Sequence, residues 1–368
     1  MSGPDRIRQV EVSAYTVPTD APEADGTFSW SETTMVLVQV HSDDLVGTGW
    51  TYGAGATAAL VRETLAPLVV GRSALEVVGA WSAMVARLRN IGRPGIGSMA
   101  LSAVDCALWD LKARALGVPL HRLLGAARSA VPLYGSGGFT SYDDDQLACQ
   151  LRRWTEGEGM SRVKIKIGES WGGNESRDLD RVRQARQLIG DDVELYVDAN
   201  GGYNVGQAVR VASTLDALDV GWFEEPVSSD DLDGLRSVRG RTRADVAAGE
   251  YGYDLVYFQR LCSAGALDCV QVDVSRCGGI TELLRIAAVA AAYNLDISGH
   301  CAPYLHAPVL AAVPNLRHLE WFHDHVRIER QFFAGATAPD HGSLALSDDV
   351  VGNGLTWLPE VAESFRVR

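Results

Sequence analysis

The chain has 368 residues, 46% of them hydrophobic and 22% charged, which is a globular composition with enough length for two domains. Its 33 basic and 47 acidic side chains give a formal charge of −14, and so acidic a surface repels phosphate backbones and excludes nucleic acid as an expected partner. No apolar run reaches the roughly 18 residues that span a bilayer, and the N-terminus lacks the apolar core of a signal peptide. We therefore expect a cytoplasmic protein without a membrane anchor.

Residues 1–126 are predicted to form an α+β domain. Thr33–Val40 has the β-branched character of a strand, and Leu45–Tyr52 is expected to pair with it as a hairpin. Three helical patterns follow, at Ala56–Leu68, Leu75–Leu88 and Met99–Leu116. The last of them ends at Gly117-Val118-Pro119, a sequence typical of a helix end.

The stretch Thr16–Trp30, ahead of the hairpin, is rich in Pro, Asp and Gly and is predicted to be a loop. Phe28 and Trp30 lie near its end. Two interpretations are open for these aromatic side chains. They either anchor the loop or form a lid over a substrate.

In residues 127–333 the pattern changes to short β-branched runs that alternate with helical segments rich in Ala and Arg. Eight runs are strand candidates: Val131–Tyr134, Arg162–Ile167, Glu194–Asp198, Gly221–Glu224, Val246–Glu250, Cys269–Asp273, Asp296–His300 and Arg317–Glu320. Eight strands with a connection after each indicate an α/β protein of the (β/α)8 barrel type. Residues 334–368 are predicted to return to the N-terminal domain.

Lysine is rare in this chain, which has only Lys112, Lys164 and Lys166 and otherwise uses arginine. Two of the three lie in one strand candidate, two residues apart. Arginine keeps its proton in proteins, whereas a desolvated lysine can lose it. A lysine pair where the chain otherwise prefers arginine indicates a site that needs a titratable amine.

Polar side chains end nearly every predicted barrel strand. They are Lys164, Lys166, Asp198 with Asn200, Glu224, Glu250, Asp273, His300 and Glu320. The carboxyl ends of barrel strands converge on one mouth, where catalysis takes place. The carboxylates Asp198, Glu224 and Glu250 come from three neighbouring strands and would repel one another unless a hard divalent cation lay between them. We therefore predict a Mg²⁺ site, with one ion per subunit.

These residues resemble the mandelate racemase branch of the enolase superfamily. The motifs that carry the resemblance are Lys164-x-Lys166, Val197-Asp198-Ala199-Asn200, Phe223-Glu224-Glu225-Pro226, Gly249-Glu250, Asp273 before Gly278-Gly279, Ser298-Gly299-His300, and the helix from Ser102 to Lys112. The resemblance implies a modified TIM-type barrel with an α+β capping domain built from residues 1–126 and 334–368. It also implies removal of the proton α to a carboxylate.

By the same resemblance, Asp198, Glu224 and Glu250 correspond to the metal ligands and Lys166 to the base on one face of the substrate. His300 with Asp273 corresponds to the acid/base on the other face. Removal of the proton creates a dianionic enediolate, which Mg²⁺ and the Lys164 ammonium can stabilise. Lys164 is expected to lower the pKa of Lys166, and Asp273 to favour the imidazolium form of His300. Glu320 is either a hydrogen-bond partner of the substrate carboxylate or a partner of Arg317 or His318.

Two reactions fit such a site. The first is dehydration of an acid sugar to a 2-keto-3-deoxy acid, which we favour by analogy because acid-sugar dehydratases are common in this branch. The second is racemisation or epimerisation of a 2-hydroxy acid by the same two bases. A Schiff-base aldolase built on Lys166 and a non-catalytic barrel are weaker alternatives.

Substrate specificity is expected to lie in the cap, at Phe28, Trp30 and Tyr52, and after the seventh barrel strand at Tyr304 and His306. Asn200 is predicted to contact the same small-molecule carboxylate substrate. Cys301 is interpreted as a buried free thiol, and His323-Asp324-His325 as a supporting segment. The resemblance further implies a homo-oligomer, from dimer to octamer.

Overall fold

The computed structural model describes residues 6–367 and contains a three-stranded sheet, a closed parallel barrel and a small two-stranded sheet. The strands are β1 Gln9–Ala24, β2 Ser29–His41, β3 Val46–Tyr52, β4 Ala130–Gly137, β5 Arg162–Lys166, β6 Glu194–Asp198, β7 Val220–Glu224, β8 Asp245–Ala248, β9 Cys269–Val272, β10 Asp296–Gly299, β11 Leu316–Phe322, β12 Phe333–Ala334, β13 Ser343–Ala345 and β14 Thr356–Trp357.

The α-helices are α1 Gly55–Leu60, α2 Ala66–Val69, α3 Val77–Leu88, α4 Ile96–Leu116, α5 Leu120–Leu123, α6 Asp144–Arg152, α7 Glu169–Gly172, α8 Glu175–Ile189, α9 Val205–Ala217, α10 Leu232–Arg239, α11 Leu255–Ser263, α12 Gly279–Ala292, α13 Pro303–Leu310, α14 His323–Phe332 and α15 Pro359–Ala362. A π-helical turn at Val61–Leu65 joins α1 to α2, another at Arg153–Gly157 follows α6, and a 3-10 turn at Glu363–Phe365 follows α15. Within residues 6–367, no helix is long and apolar enough to cross a bilayer.

Strands β4 to β11 pair in parallel in chain order, and β11 pairs with β4 to close the barrel. All eight predicted barrel strands are present, with ends within a few residues of those expected. The fold class is therefore confirmed. The interior of the barrel is packed with aromatic side chains, among them Tyr134, Tyr196 and Trp222, so its strands end above a solid core rather than a channel.

The predicted loop at Thr16–Trp30 was wrong for most of its length. Strand β1 continues to Ala24 and β2 begins at Ser29, so that only residues 25–28 form a turn between them. Pro18 and Pro22 are tolerated because β1 is an edge strand, and its pairing with β2 shifts register between Pro18 and Glu23. Phe28 at the turn is 68% exposed.

The cap docks on the barrel through helix α4, which packs against α12. The buried Asp105 of α4 accepts hydrogen bonds from the backbone N and the side-chain Oγ1 of Thr281, at 2.9 and 2.7 Å. Gly279 has φ +85°, and a Cβ atom there would lie 2.4 Å from Asp105 Oδ2. Only glycine therefore lets α4 approach so closely.

We expect Asp105→Ala to lower the free energy of unfolding by about 2 kcal/mol, because it leaves buried donors of Thr281 without partners. Denaturant unfolding followed by circular dichroism measures the change. The exposed Asp192 offers a matched control, and Asp192→Ala should stay within about 0.5 kcal/mol of the parent. Equal stability of the two variants would show that the contact of Asp105 with Thr281 contributes little to the free energy of unfolding.

The C-terminal segment contacts both the cap and the barrel. Strand β13 pairs with the beginning of β4, and β14 pairs with β12. Asn353 N donates to Asp110 Oδ1 of α4 at 2.7 Å, and Val367 N donates to Ala14 O of β1 at 2.8 Å. Hydrogen bonds therefore tie the end of the chain to the N-terminal domain.

Candidate active site

The structure brings the polar residues of the strand ends together at one mouth of the barrel. Lys164 and Lys166 belong to β5, Asp198 and Glu224 end β6 and β7, and Glu320 lies in β11. The other three follow strand ends closely: Glu250 after β8, Asp273 after β9 and His300 after β10. All eight side chains are buried, as expected where the strands of a barrel converge under a cap.

Asp198, Glu224 and Glu250 form a triad of carboxylates, each with one oxygen within 4.8 Å of the others. Backbone and indole groups orient two of them. Asn200 N donates to Asp198 Oδ1 at 2.8 Å, and Trp222 Nε1 donates to Glu224 Oε2 at 2.8 Å. Burial, and then the charge of Asp198, raise the pKa of Glu224 to about 8. The repulsion expected between these acids is therefore present.

The donor set fits a divalent cation. Oxygen atoms bound to one Mg²⁺ at about 2.1 Å lie up to about 4.2 Å apart, so small side-chain movements bring the triad to that geometry. The ligands are all hard oxygens, which Mg²⁺ prefers. A second group of potential ligands, His300 with Cys301 and Glu320, mixes nitrogen, sulfur and oxygen and suits Mg²⁺ less well.

Both active-site lysines pair with members of the triad. Lys164 Nζ lies 2.6 Å from Glu224 Oε1 and 2.9 Å from Glu320 Oε1, and it is fully buried. Lys166 Nζ lies 2.5 Å from Asp198 Oδ2. These contacts fix the two ammonium groups beside the triad.

The expected lowering of the Lys166 pKa was wrong for this geometry. Burial and the neighbouring Lys164 do lower the pKa of Lys166, but the charge of Asp198, supported by Glu250 and Glu320, outweighs them. The net direction is therefore upward. Asp198 was predicted only as a metal ligand, and its direct ion pair with Lys166 was not expected from the sequence.

His300 and Asp273 form a dyad, with His300 Nδ1 2.8 Å from Asp273 Oδ2. The other ring nitrogen, Nε2, lies 3.2 Å from Glu250 Oε2. Burial lowers the pKa of His300, but the groups around it, including Cys301, Glu250 and Asp273, outweigh burial and raise it well above its usual value. The pairing with Asp273 acts in the direction that the sequence indicated.

Both carboxylate oxygens of Glu320 accept hydrogen bonds from groups inside the protein. Its Oε1 accepts from Ser136 Oγ at 2.6 Å, and its Oε2 accepts from Cys301 N at 2.9 Å. Arg317 and His318, the alternative partners, pair elsewhere, with Asp245 and Asp296 and with Ser298. Glu320 therefore holds Lys164 and the chain at Cys301, and both of its oxygens face protein donors.

A cavity of about 310 Å³ lies between the barrel mouth and the cap. It is lined by Asp25, Phe28, Trp30, Glu32, Thr33, Thr34, Tyr52, Gly53, Lys166, Asn200, Glu250, Tyr251, Arg276, His300, Cys301, Phe322 and His325. The predicted cap residues Phe28, Trp30 and Tyr52 thus share one cavity with the amine and the imidazole. The turn of residues 25–28, which contributes Asp25 and Phe28 to the cavity wall, is called the lid below.

Tyr304 and His306 do not line this cavity. The hydroxyl group of Tyr304 donates to Thr337 O of the C-terminal segment, and His306 Nε2 accepts from Val274 N at 2.8 Å. Tyr304 therefore faces the C-terminal segment, and His306 faces the chain after strand β9. The expectation that they contact substrate was therefore wrong.

Several residues of the cavity wall were not predicted from the sequence, among them Asp25, Arg276 and His325. Arg276 lies 3.4 Å from both Glu250 and Asp273, and its position three residues after Asp273 was the available signal. Asp25 was hidden in the stretch predicted to be a loop. His325 stacks on Tyr52 with ring centroids 3.5 Å apart, a contact between cap and barrel that sequence alone does not show.

The segment His323-Asp324-His325 supports the cap. His323 Nε2 pairs with Asp20 at 3.0 Å, Asp324 accepts from Thr33 and Arg327, and His325 Nδ1 accepts from Ala302 N at 3.2 Å. Cys301 is a buried free thiol, 3.3 Å from His300 Nε2. Burial raises its pKa, so it is not a thiolate nucleophile at neutral pH.

Comparison with known proteins identifies two matching family models. Residues 8–125 match the mandelate racemase/muconate lactonizing enzyme N-terminal domain, and residues 146–361 match the enolase C-terminal domain-like model. A 3,6-anhydro-α-L-galactonate cycloisomerase from Streptomyces coelicolor is 33% identical over 85% of this chain and 88% of that protein.

Solved structures agree over almost the whole chain. A mandelate racemase/muconate lactonizing enzyme-like protein from Rubrobacter xylanophilus is 46% identical with a TM-score of 0.95, covering 98% of this chain and 100% of that one. L-talarate/galactarate dehydratase from Salmonella typhimurium, liganded with Mg and L-lyxarohydroxamate, is 27% identical with a TM-score of 0.90, covering 99% of this chain and 93% of that one.

Proposed function

Since this chain belongs to the mandelate racemase/muconate lactonizing enzyme family of the enolase superfamily, we propose that it removes the α-proton of an acid sugar carboxylate and dehydrates the sugar. The observation that carries the proposal is the cavity under the cap, where the amine of Lys166 and the imidazole of His300 face a common space beside Glu250. An acid/base pair at one carbon is the requirement of this chemistry.

Asp198, Glu224 and Glu250 would hold one Mg²⁺ per subunit. When bound, the ion offsets the negative charge that develops on the substrate carboxylate as the α-proton leaves. The magnesium in the Salmonella dehydratase structure supports this choice of cation. The buried Lys164 ammonium adds a second fixed positive charge, oriented by Glu224 and Glu320 before any substrate arrives.

Lys166 and His300 move the protons. The ion pair with Asp198 holds a proton on Lys166, and Lys166 would act as the base once Asp198 served as a ligand of a bound cation and no longer paired with the amine alone. Asp273 fixes the tautomer and orientation of His300, so that Nε2 is the nitrogen that exchanges a proton with the substrate. The raised pKa of His300 favours the imidazolium form, which donates a proton, and the neutral imidazole left after proton loss is the form that can act as a base.

In the proposed dehydration, Lys166 or His300 takes the α-proton and the C–O bond at the β-carbon breaks. The hydroxyl group leaves as water with a proton from His300, and the resulting enol becomes the 2-keto-3-deoxy acid after protonation at carbon 3. The alternative is racemisation or epimerisation, which the placement of both bases in one cavity also permits. A Schiff-base aldolase would need a free Lys166 amine and no metal.

Incubation with acid sugars and Mg²⁺ in D2O distinguishes these reactions. We expect a 2-keto-3-deoxy acid that carries deuterium at carbon 3, together with loss of activity when EDTA removes the metal. Deuterium entering recovered substrate with inverted configuration, and no keto acid, would support racemisation instead. Activity that survives EDTA, with covalent trapping of substrate by borohydride, would support the aldolase.

Three further proposals come from the sequence analysis, and of these the homo-oligomer rests on the family resemblance alone. The protein is expected to be cytoplasmic and to assemble as a homo-oligomer of two to eight subunits. The capping domain is expected to comprise residues 1–126 and 334–368, and the barrel residues 127–333. Size-exclusion chromatography with light scattering measures the assembly.

A further inference from the structure

The cationic side chains of the substrate cavity all lie at its barrel end. They are Lys166, Arg276 and His300, and each already faces a carboxylate. Lys166 pairs with Asp198 at 2.5 Å, Arg276 lies 3.4 Å from Asp273, and His300 lies 2.8 Å from Asp273. Burial holds the pKa of His325 well below its usual value, so this ring adds no positive charge.

The cap side of the cavity carries the opposite charge. Asp25 and Glu32 line it among the aromatic rings of Phe28, Trp30 and Tyr52. Asp25 Oδ1 is fixed by the backbone N of Thr27 at 2.6 Å and of Phe28 at 2.8 Å. The lid therefore presents a fixed carboxyl group to whatever enters.

A neighbouring cavity of about 570 Å³ shares two wall residues, Asn200 and Tyr251, with the first. Its wall includes Glu225, Asp230 and Asp254, and no lysine or arginine is among the described residues that line it. Two buried acceptors in the wall of this neighbouring cavity, Asn200 Oδ1 and Glu225 Oε1, have no hydrogen-bond donor from the protein, and the buried hydroxyl group of Tyr257 there has no partner either. The far end of a substrate therefore meets Asp25 and Glu32 on the cap side of the first cavity, or Glu225, Asp230 and Asp254 in the neighbouring cavity.

This arrangement discriminates between the two ends of an acid sugar. If one carboxylate lies at the triad and Lys164, the far end of the chain reaches the lid or the neighbouring cavity. A second carboxylate there would meet like charges, and it has no proton to give to the unpaired acceptors. A hydroxyl group meets no repulsion and donates a hydrogen bond to those same acceptors.

We infer that the substrate is an aldonate, with a single carboxylate and a hydroxyl-bearing far end, rather than an aldarate with carboxylates at both ends. The inference rests on the proposed function, since it takes the first carboxylate to lie at the metal triad. Asp25 and Glu32 are the residues to which it assigns the exclusion of diacids.

Matched pairs of acid sugars test the inference. Each pair has one configuration and differs only at carbon 6, as in D-gluconate with D-glucarate and D-galactonate with galactarate. We expect kcat/KM for the aldonate of the productive pair to exceed that for its aldarate by about tenfold or more, the factor that corresponds to about 1.4 kcal/mol. An aldarate that reacts as fast or faster would overturn the inference and leave the dehydratase proposal standing. Failure of every acid sugar would overturn both.

Variants assign the discrimination to the lid. Asp25→Asn with Glu32→Gln keeps the size of both side chains and removes their charge, so the ratio of aldonate to aldarate kcat/KM should fall by about threefold or more. Asp44→Asn removes one carboxylate charge from an exposed turn of the cap and should leave the ratio unchanged. An unchanged ratio in the double variant would show that Asp25 and Glu32 do not discriminate between a hydroxyl group and a carboxylate at the far end of the substrate.

Discussion

Replacing Lys166 with arginine is expected to lower kcat by about a thousandfold, while the fold and Mg²⁺ binding are kept. Arginine retains the positive charge that pairs with Asp198, but its guanidinium does not give up a proton at neutral pH. The variant therefore separates the charge of the residue from its work as a base. Steady-state kinetics with the best acid sugar, together with calorimetric Mg²⁺ titration, measures both properties.

His300→Asn supplies the partner measurement, because asparagine keeps a hydrogen-bonding group beside Asp273 and removes the titratable ring. We expect a similar loss of kcat, and we expect one of the two variants to continue to exchange the α-proton of the substrate with D2O. That variant retains the base, and the other has lost it. If the Lys166→Arg enzyme kept more than about a tenth of the parent kcat, Lys166 would not be an acid/base group.

Replacing Glu224 with glutamine is expected to weaken Mg²⁺ binding by about a hundredfold or more and to abolish turnover at ordinary magnesium concentrations. Even residues that only orient metal ligands contribute a factor of about 10 to 100 to metal affinity, so loss of a charged ligand should exceed that range. Calorimetry gives the affinity, and activity measured against magnesium concentration shows whether excess metal restores the rate.

The adjacent Glu225 is the matched control for this change. It is buried, like Glu224, but its oxygens are not among those that converge in the triad. Glu225→Gln should bind Mg²⁺ within a few-fold of the parent protein. Equal loss of affinity in both variants would mean that general negative charge, and not a defined ligand set, holds the cation.

The barrel and the composition of its mouth were predictable because one physical pattern repeats. Each parallel strand is a short buried run that ends at the mouth, so a polar residue such as Asp198 or Glu224 stands out against an apolar background. Eight strands with this pattern predicted the barrel, and the polar residues at their ends predicted the candidate site. Helix α4 was also predictable, since Gly117 ends it in the left-handed conformation, with φ +67°.

The contacts between separate elements were not predictable in the same way. Strand β1 is stabilised by pairing with β2, and its proline content concealed that pairing. The ion pair of Lys166 with Asp198 depends on the parallel register of β5 and β6, which places the two residues directly side by side. The hydroxyl group of Tyr304 donates to Thr337 O, 33 residues later in the chain, and no local signal in the sequence around Tyr304 indicates that contact.

The central claim is that Asp198, Glu224 and Glu250 hold one magnesium ion between the amine of Lys166 and the imidazole of His300. A crystal structure of the protein grown with magnesium and a hydroxamate analogue of an aldonate tests it most directly. The claim predicts a single ion bound by all three carboxylates, with the carbon next to the hydroxamate lying between Lys166 Nζ and His300 Nε2. A structure in which the three acids turn apart around ordered water, or in which the analogue binds away from both bases, would contradict it.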